Sequence, residues 1–163
     1  MKSEHYEARV FVPASVERVF SHLDDHKRLS SHMSESSWKM GGGRMSIELD
    51  AAQGKSVGSC IRLSGRILGM DLGAEEVVTE RSPPLHKVWE TTGVPKLLVI
   101  GHYRMGFDLT SQGTGSIVRV FIDYVLPEKI PARWLGNLFG KYYAKWCTRQ
   151  MVDDAVKHFA SIS

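Results

Sequence analysis

Few side chains in this sequence have the type and spacing to move protons or hold metals. His22 and His26 stand four residues apart around Asp24 and Asp25, with His32 beyond them. An i, i+4 pair of imidazoles on one helix is a metal-holding spacing. Here it crosses the expected break between two helices and lacks the HExxH pattern, so the group is placed on a solvated surface and no metal site is predicted. Glu76 follows Met70, Leu72 and Ala74 at alternate positions. Period two turns it to the apolar face, where burial raises a carboxyl pKa toward the range useful for proton transfer; the ordinary alternative is an ion pair with Arg62 or Arg66. His102, Arg104 and Asp108 alternate with Tyr103 and Phe107, which sends them to solvent, whereas a slip of one residue turns them inward as a polar triad. The candidates for acid–base work are Glu76, His102 and Tyr124.

Other motifs fail on context. Gly41-Gly42-Gly43 precedes a strand, not a helix N-terminus, and Gly54-Lys55-Ser56 lacks the upstream glycine of a phosphate loop, because Leu49 stands there. No GxSxG occurs, and Cys60 and Cys147 are far apart with no CxxC. They read as reduced thiols, and no cofactor is implied.

Composition narrows the class. The 163 residues suit one domain with a sizeable core, and 42% hydrophobic with 24% charged residues is ordinary for a globular protein. The net charge of +3 is mild and the basic residues are scattered, so no nucleic acid partner is expected. Residues Met1 to Val10 lack the apolar stretch of a signal peptide, and nothing approaches ~18 consecutive apolar residues. A cytoplasmic protein without integral membrane association is expected.

The elements that hold these residues follow from periodicity. Ala8, Val10 and Val12 alternate in a first strand, Glu7 to Val12, stopped by Pro13. A helix is predicted over Ser15 to Leu23 and a second short one over Asp24 to His32, then a polar, glycine-rich connection from Ser34 to Gly43. Six strands follow: Arg44 to Asp50, Val57 to Ile67, Met70 to Arg81, His86 to Thr92, Leu97 to Leu109 and Ser116 to Leu126. Short turns between them imply an antiparallel meander. The chain closes with a long helix, Pro131 to Phe159. Trp134, Leu135, Leu138, Phe139, Tyr142, Tyr143 and Trp146 fall on one side of its first half, while Met151, Val152, Ala155, Val156 and Phe159 fall on a rotated side of its second. Such a helix covers two different surfaces, packed sheet at one end and something roomier at the other.

The opening Val10-Phe11-Val12-Pro13-Ala14-Ser15-Val16-Glu17-Arg18-Val19-Phe20 resembles the first strand and helix of the START-like or SRPBCC superfamily. That group includes the birch-pollen-allergen-like, polyketide cyclase/dehydrase and lipid-transport proteins. Val77 to Pro84 with Trp89 after it, Phe107-Asp108-Leu109 before Gly113-Thr114-Gly115, and the closing helix extend the likeness over essentially the whole chain. The resemblance implies an α+β helix-grip fold: a seven-stranded curved antiparallel sheet around a long C-terminal helix, with two short helices after the first strand. It implies residues 1–163 as a single START-like ligand-binding domain with a cavity for an apolar or amphipathic molecule, and no catalytic set to carry over.

The expected lining follows from strand and helix phase. Met45, Ile47, Ile61, Leu63, Tyr103, Met105, Phe107, Val120, Ile122 and Tyr124 come from the sheet, and Leu135, Leu138, Phe139, Tyr142 and Trp146 face them from the helix. The same residues serve equally as plain core. Three readings stay open: a binding protein for a small hydrophobic molecule, lipid-like or polyketide-like; a cyclase/dehydratase-type enzyme using a cavity acid or tyrosine; and an interaction protein, monomer or homodimer, that docks a partner on its aromatic helix face. An inward Glu76 or His102 within reach of a phenol favours the enzyme, and a wholly apolar lining favours pure binding.

Overall fold

The computed structural model describes residues 2–29, 44–67, 69–127 and 130–162, and among these the side chains of residues 44, 130–133 and 135 are not described. The expected run of the second helix to His32 and the connection Ser34 to Gly43 lie outside the described residues. The order is β1 (Ser3–Val12), α1 (Val16–Leu23), α2 (His26–Leu29), β2 (Arg44–Leu49), β3 (Cys60–Ile67), β4 (Met70–Ser82), β5 (His86–Lys96), β6 (Tyr103–Gln112), β7 (Gly115–Val125) and α3 (Ile130–Ala160). One antiparallel sheet results, ordered β1-β7-β6-β5-β4-β3-β2. The first strand therefore returns beside the last. This is the expected α+β helix-grip architecture.

Alternation sets what faces inward. Tyr103, Met105, Phe107 and Leu109 of β6 lie opposite Tyr124, Ile122, Val120 and Val118 of β7, and all of these are buried except the half-buried Tyr103. Beneath them Phe20 of α1 meets Phe107 edge-on at 5.7 Å, and Trp89 meets Phe107 at 6.4 Å. Each large apolar side chain so buried contributes about 1.5 to 3 kcal/mol.

The fifth and sixth strands depart from expectation. β5 runs to Lys96, past the predicted Thr92, and residues 97–102 are not strand. Pairing of β5 with β6 covers only His86 to Glu90. Beyond it, Pro95 sits where β5 has left β6 and its pairing with β4 is irregular, a position where a missing N–H is tolerated. The chain then turns inward, burying Ile100, with the Gly101 amide donating to the Val125 carbonyl.

The helix α3 packs chiefly on β1 and β7, and its phase corrects the sequence reading. The buried stripe is Gly136, Gly140, Ala144, Cys147, Thr148, Met151, Val152 and Ala155, not the aromatic row. Leu138, Phe139 and Tyr142, expected to face the sheet, are on the solvent side. Small residues win this face because backbone comes so close: a Cβ on Gly136 would lie 2.7 Å from Pro127 Cδ and 2.9 Å from the Val99 carbonyl oxygen. Gly136→Val is therefore expected to destabilise the protein by about 1 to 3 kcal/mol. Urea unfolding checks this, with Asn137→Ala on the exposed side expected to shift stability by less than about 0.5 kcal/mol.

The outer face of the sheet is closed by charge. His86 donates to Asp108 (2.5 Å) and Glu80 (2.9 Å), Arg119 bridges Asp108 and Glu7, and Arg104 reaches Glu80. The Arg104 and Arg119 guanidiniums lie over the Phe121 ring. Partial burial pulls the His86 pKa down, but its bonds to Asp108 and Glu80 outweigh this and hold it above the usual 6.5. A raised folded pKa means that its contribution is complete below about 6.5 and fades as pH rises through the folded value. Between pH about 6 and 9 the denaturation midpoint should thus fall more steeply in wild type than in His86→Gln.

Candidate functional site

The turn between α1 and α2 and the inner side of β4 to β6 come together to make the site. Asp24 ends α1, its backbone N–H donating to the Phe20 carbonyl. Lys87 of β5, 0% exposed, donates to the Asp24 carboxylate (3.0 Å) and carbonyl (3.2 Å), and Arg81 of β4 grips the same carboxylate at 3.1 and 2.8 Å. Burial lowers the Lys87 pKa, against the pull of Asp24. This clamp fixes the start of α2 two residues later. His26, 1% exposed, is thereby set edge-on to Trp89 at 5.1 Å, with its Nε2 3.3 Å from Glu76 Oε2.

Glu76 is 3% exposed and receives a hydrogen bond on Oε1 from the Tyr103 hydroxyl. Strand phase explains the convergence: Glu76 follows Leu72 and Ala74 on the inner side of β4, and Tyr103 opens the inward row of β6. Glu76 Oε2 and His26 Nδ1 have no hydrogen-bond partner, and the hydroxyl of Thr79, at the β4 irregularity, has none either. Across from them on α3, Tyr143 is hydrogen-bonded to Cys147. Burial, reinforced by Glu76, raises the Tyr103 pKa well above the usual tyrosine value. Burial does the same to Tyr143 and pushes the Cys147 thiol up to about 12, despite the Tyr143 bond. All three thus stay protonated near neutrality.

Apolar side chains surround this polar group. Ile47, Leu49, Leu72, Leu97, Val99, Tyr103, Tyr143 and Trp146 pack against the core yet keep accessible surface. While α3 sits mainly over β1 and β7, the inward Met45, Ile61, Leu63, Ala74 and Val78 of β2 to β4 are buried as well. An imidazole and a carboxylate in contact, each with a free polar atom, can accept a proton or hold the polar end of a guest.

The sequence-predicted residues fall into three sets. Met45, Ile61, Leu63, Met105, Phe107, Val120, Ile122 and Tyr124 are buried on the inner side, and Ile47, Tyr103 and Trp146 are half-buried there. Leu138, Phe139 and Tyr142 are exposed, and the side chain of Leu135 lies outside the described residues. Of the acid–base candidates Glu76 is in the group, Tyr124 is beside Tyr103 across the β6–β7 ladder, and His102 is exposed, its Nδ1 3.2 Å from Thr91 Oγ1. His102 borders a hollow of about 230 Å³ whose other walls include Glu90, Thr91, Tyr103, Arg104, Asp123 and Tyr124.

The histidines correct the sequence reading. His22 and His26 are buried, not solvated, and they diverge. His22 contacts Asp154 (3.0 Å) and Arg28 (3.0 Å) and stacks on His158 at 4.1 Å. Burial lowers its pKa, with Asp154 opposing. Among the described residues no cluster of three or more metal-ligating side chains occurs. His26 was missed because α2 is a single turn, too short to show a periodicity.

Comparison with known proteins agrees with this fold. No curated protein matches the chain. Among solved structures it is similar to Ara h 8.0201, at 12% identity over 98% of this chain and 99% of that one, TM-score 0.65. It is also similar to norcoclaurine synthase from Thalictrum flavum, at 13% identity over 96% and 86%, TM-score 0.64. The Zhui aromatase/cyclase from Streptomyces sp. R1128 gives 13% identity over 94% of each chain, TM-score 0.64. At such identities the likeness is one of fold. The sequence profile described as polyketide cyclase / dehydrase and lipid transport matches residues 3–160, and the chain belongs to that family.

Proposed function

We propose that this protein binds a small, largely apolar, carbonyl-bearing molecule between the sheet and α3, and that Glu76, Tyr103 and His26 transfer a proton on it in a cyclase/dehydratase-type reaction. The observation that carries this is the buried Glu76, bonded to a phenol on one oxygen and touching an imidazole with the other. An inward acid within reach of a tyrosine is the arrangement that separates the enzymatic reading from a wholly apolar container. Glu76 Oε2 or His26 Nδ1 takes a proton from the carbon next to the carbonyl, and the Tyr103 hydroxyl, turning from Glu76, donates to the enolate oxygen that forms. The enolate then collapses to a carbon–carbon double bond as the β-hydroxyl leaves, and the same base returns its proton to that hydroxyl, releasing water. The relatives' names support the class: an aromatase/cyclase and a synthase share the fold.

Pure binding is the second reading, favoured by the rest of the lining, which is apolar apart from this group. Both readings require a guest. Native mass spectrometry of gently purified protein is expected to retain a co-purified small molecule, and an apolar dye is expected to bind saturably and be displaced by it. Failure of both sinks the proposal. Conversion of a linear polyketone surrogate distinguishes turnover from storage.

A further inference from the structure

We propose that the solvent side of the first half of α3 docks the protein onto an anionic lipid surface. Trp134 is 65% and Tyr142 59% exposed, with Leu138 and Phe139 also exposed between them. At 100° per residue these fall on one side of the helix, opposite the Gly136 and Gly140 stripe. Lys141, Lys145 and Arg149 share that side and are exposed. None of the three is ion-paired among the described residues, whereas the sheet arginines Arg62, Arg66, Arg104 and Arg119 all are. No Asp or Glu occurs from Ile130 to Val152.

The charge decides the occupant. Aromatic side chains with one polar end settle at the boundary of a bilayer, and nearby cations are drawn to anionic headgroups. A second copy seated on this face by a twofold axis would instead bring unpaired cations of both chains together with no acid on either helix to meet them. The glycine stripe adds the geometry: the opposite face is locked on Val99 and Pro127, so the helix cannot roll its aromatics inward. No helix among the described residues is long and apolar enough to cross a membrane, so contact is at the surface. This inference is independent of the cavity chemistry.

The test is sedimentation of the full chain with vesicles of phosphatidylcholine alone or mixed with phosphatidylserine, followed by tryptophan emission. Binding to the mixed vesicles at least about tenfold stronger than to the neutral ones, a blue shift, and weakening by salt are expected. Trp134→Ala with Phe139→Ala, and separately Lys141→Glu with Lys145→Glu, should each lower the partition by about tenfold or more without changing the melting temperature. No partition, or equal partition of all three proteins, overturns the proposal. So does a concentration-dependent dimer that Trp134→Ala with Phe139→Ala converts to monomer, which assigns the face to a second copy.

Discussion

Glu76→Gln is expected to leave the fold and guest binding intact while lowering turnover by about 100- to 10,000-fold. The amide keeps an oxygen for the Tyr103 hydroxyl and matches the carboxyl in shape, so the buried site loses the oxygen that could take a proton and little else. Tyr103→Phe is the complementary change. It strips the partner from a buried oxygen, at a cost of about 1 to 3 kcal/mol in stability, and removes the oxyanion donor. The pair of variants separates the two functional readings. Under proton transfer, kcat falls while the affinity for the co-purified molecule holds within a few-fold. Under pure binding, no turnover exists to lose, and Kd is the only quantity that moves. Unchanged kcat in Glu76→Gln with measurable turnover in wild type would remove Glu76 from the reaction.

Asp24→Ala is expected to cost about 3 to 5 kcal/mol, because it leaves Lys87, 0% exposed, with no counter-charge and frees Arg81 from its bidentate grip. Chemical denaturation measures it. Adding Lys87→Met should return part of the loss, since the orphaned cation is the larger penalty; a single-variant cost under about 1 kcal/mol would mean that water reaches the pair. Acid behaviour follows the same wiring. Burial pushes Asp24 upward, but Arg81 and Lys87 outweigh it and hold its pKa below the usual 3.8. Its contribution is therefore present above about 3.8 and disappears as pH falls through the lower folded value. The clamp also sets the position of His26 two residues on, so under the proposed proton transfer partial activity loss in a still-folded Asp24→Asn protein is the accompanying expectation.

Strand alternation made much of this readable in advance. Leu72 and Ala74 announced Glu76 as inward, and Met105 and Phe107 did so for Tyr103, because a side-chain period of two leaves no third option. Helix phase was less transparent. In α3 the largest apolar residues, Trp134 to Tyr142, drew the eye, yet the spacing Gly136, Gly140, Ala144, Thr148 was the packing face. Small residues score low on any hydrophobicity scale and still win where two backbones must approach. His22, Asp24 and His26 read as solvent-facing because their partners, Asp154, Lys87 and Glu76, are far along the chain, the first two at separations of 132 and 63 residues. Nothing local encodes such pairings. The end of the β5–β6 ladder at Glu90 was equally hidden, since Val99 and Ile100 read as strand by composition.

That early end of the ladder leaves a seam. From Thr92 to Lys96 the fifth strand pairs with its fourth-strand neighbour alone, after the Thr91 hydroxyl has accepted a last bond from the Tyr103 backbone N–H, and the hollow beside the gap reaches Tyr103 and Tyr124, both members of the inner row. Lifting this flap breaks few backbone bonds and none of the apolar nucleus around Phe107. The molecule thus carries a loosely tied margin: amide protons from 92 to 96 should exchange with solvent well before those of 103 to 110, while the long helix stays put.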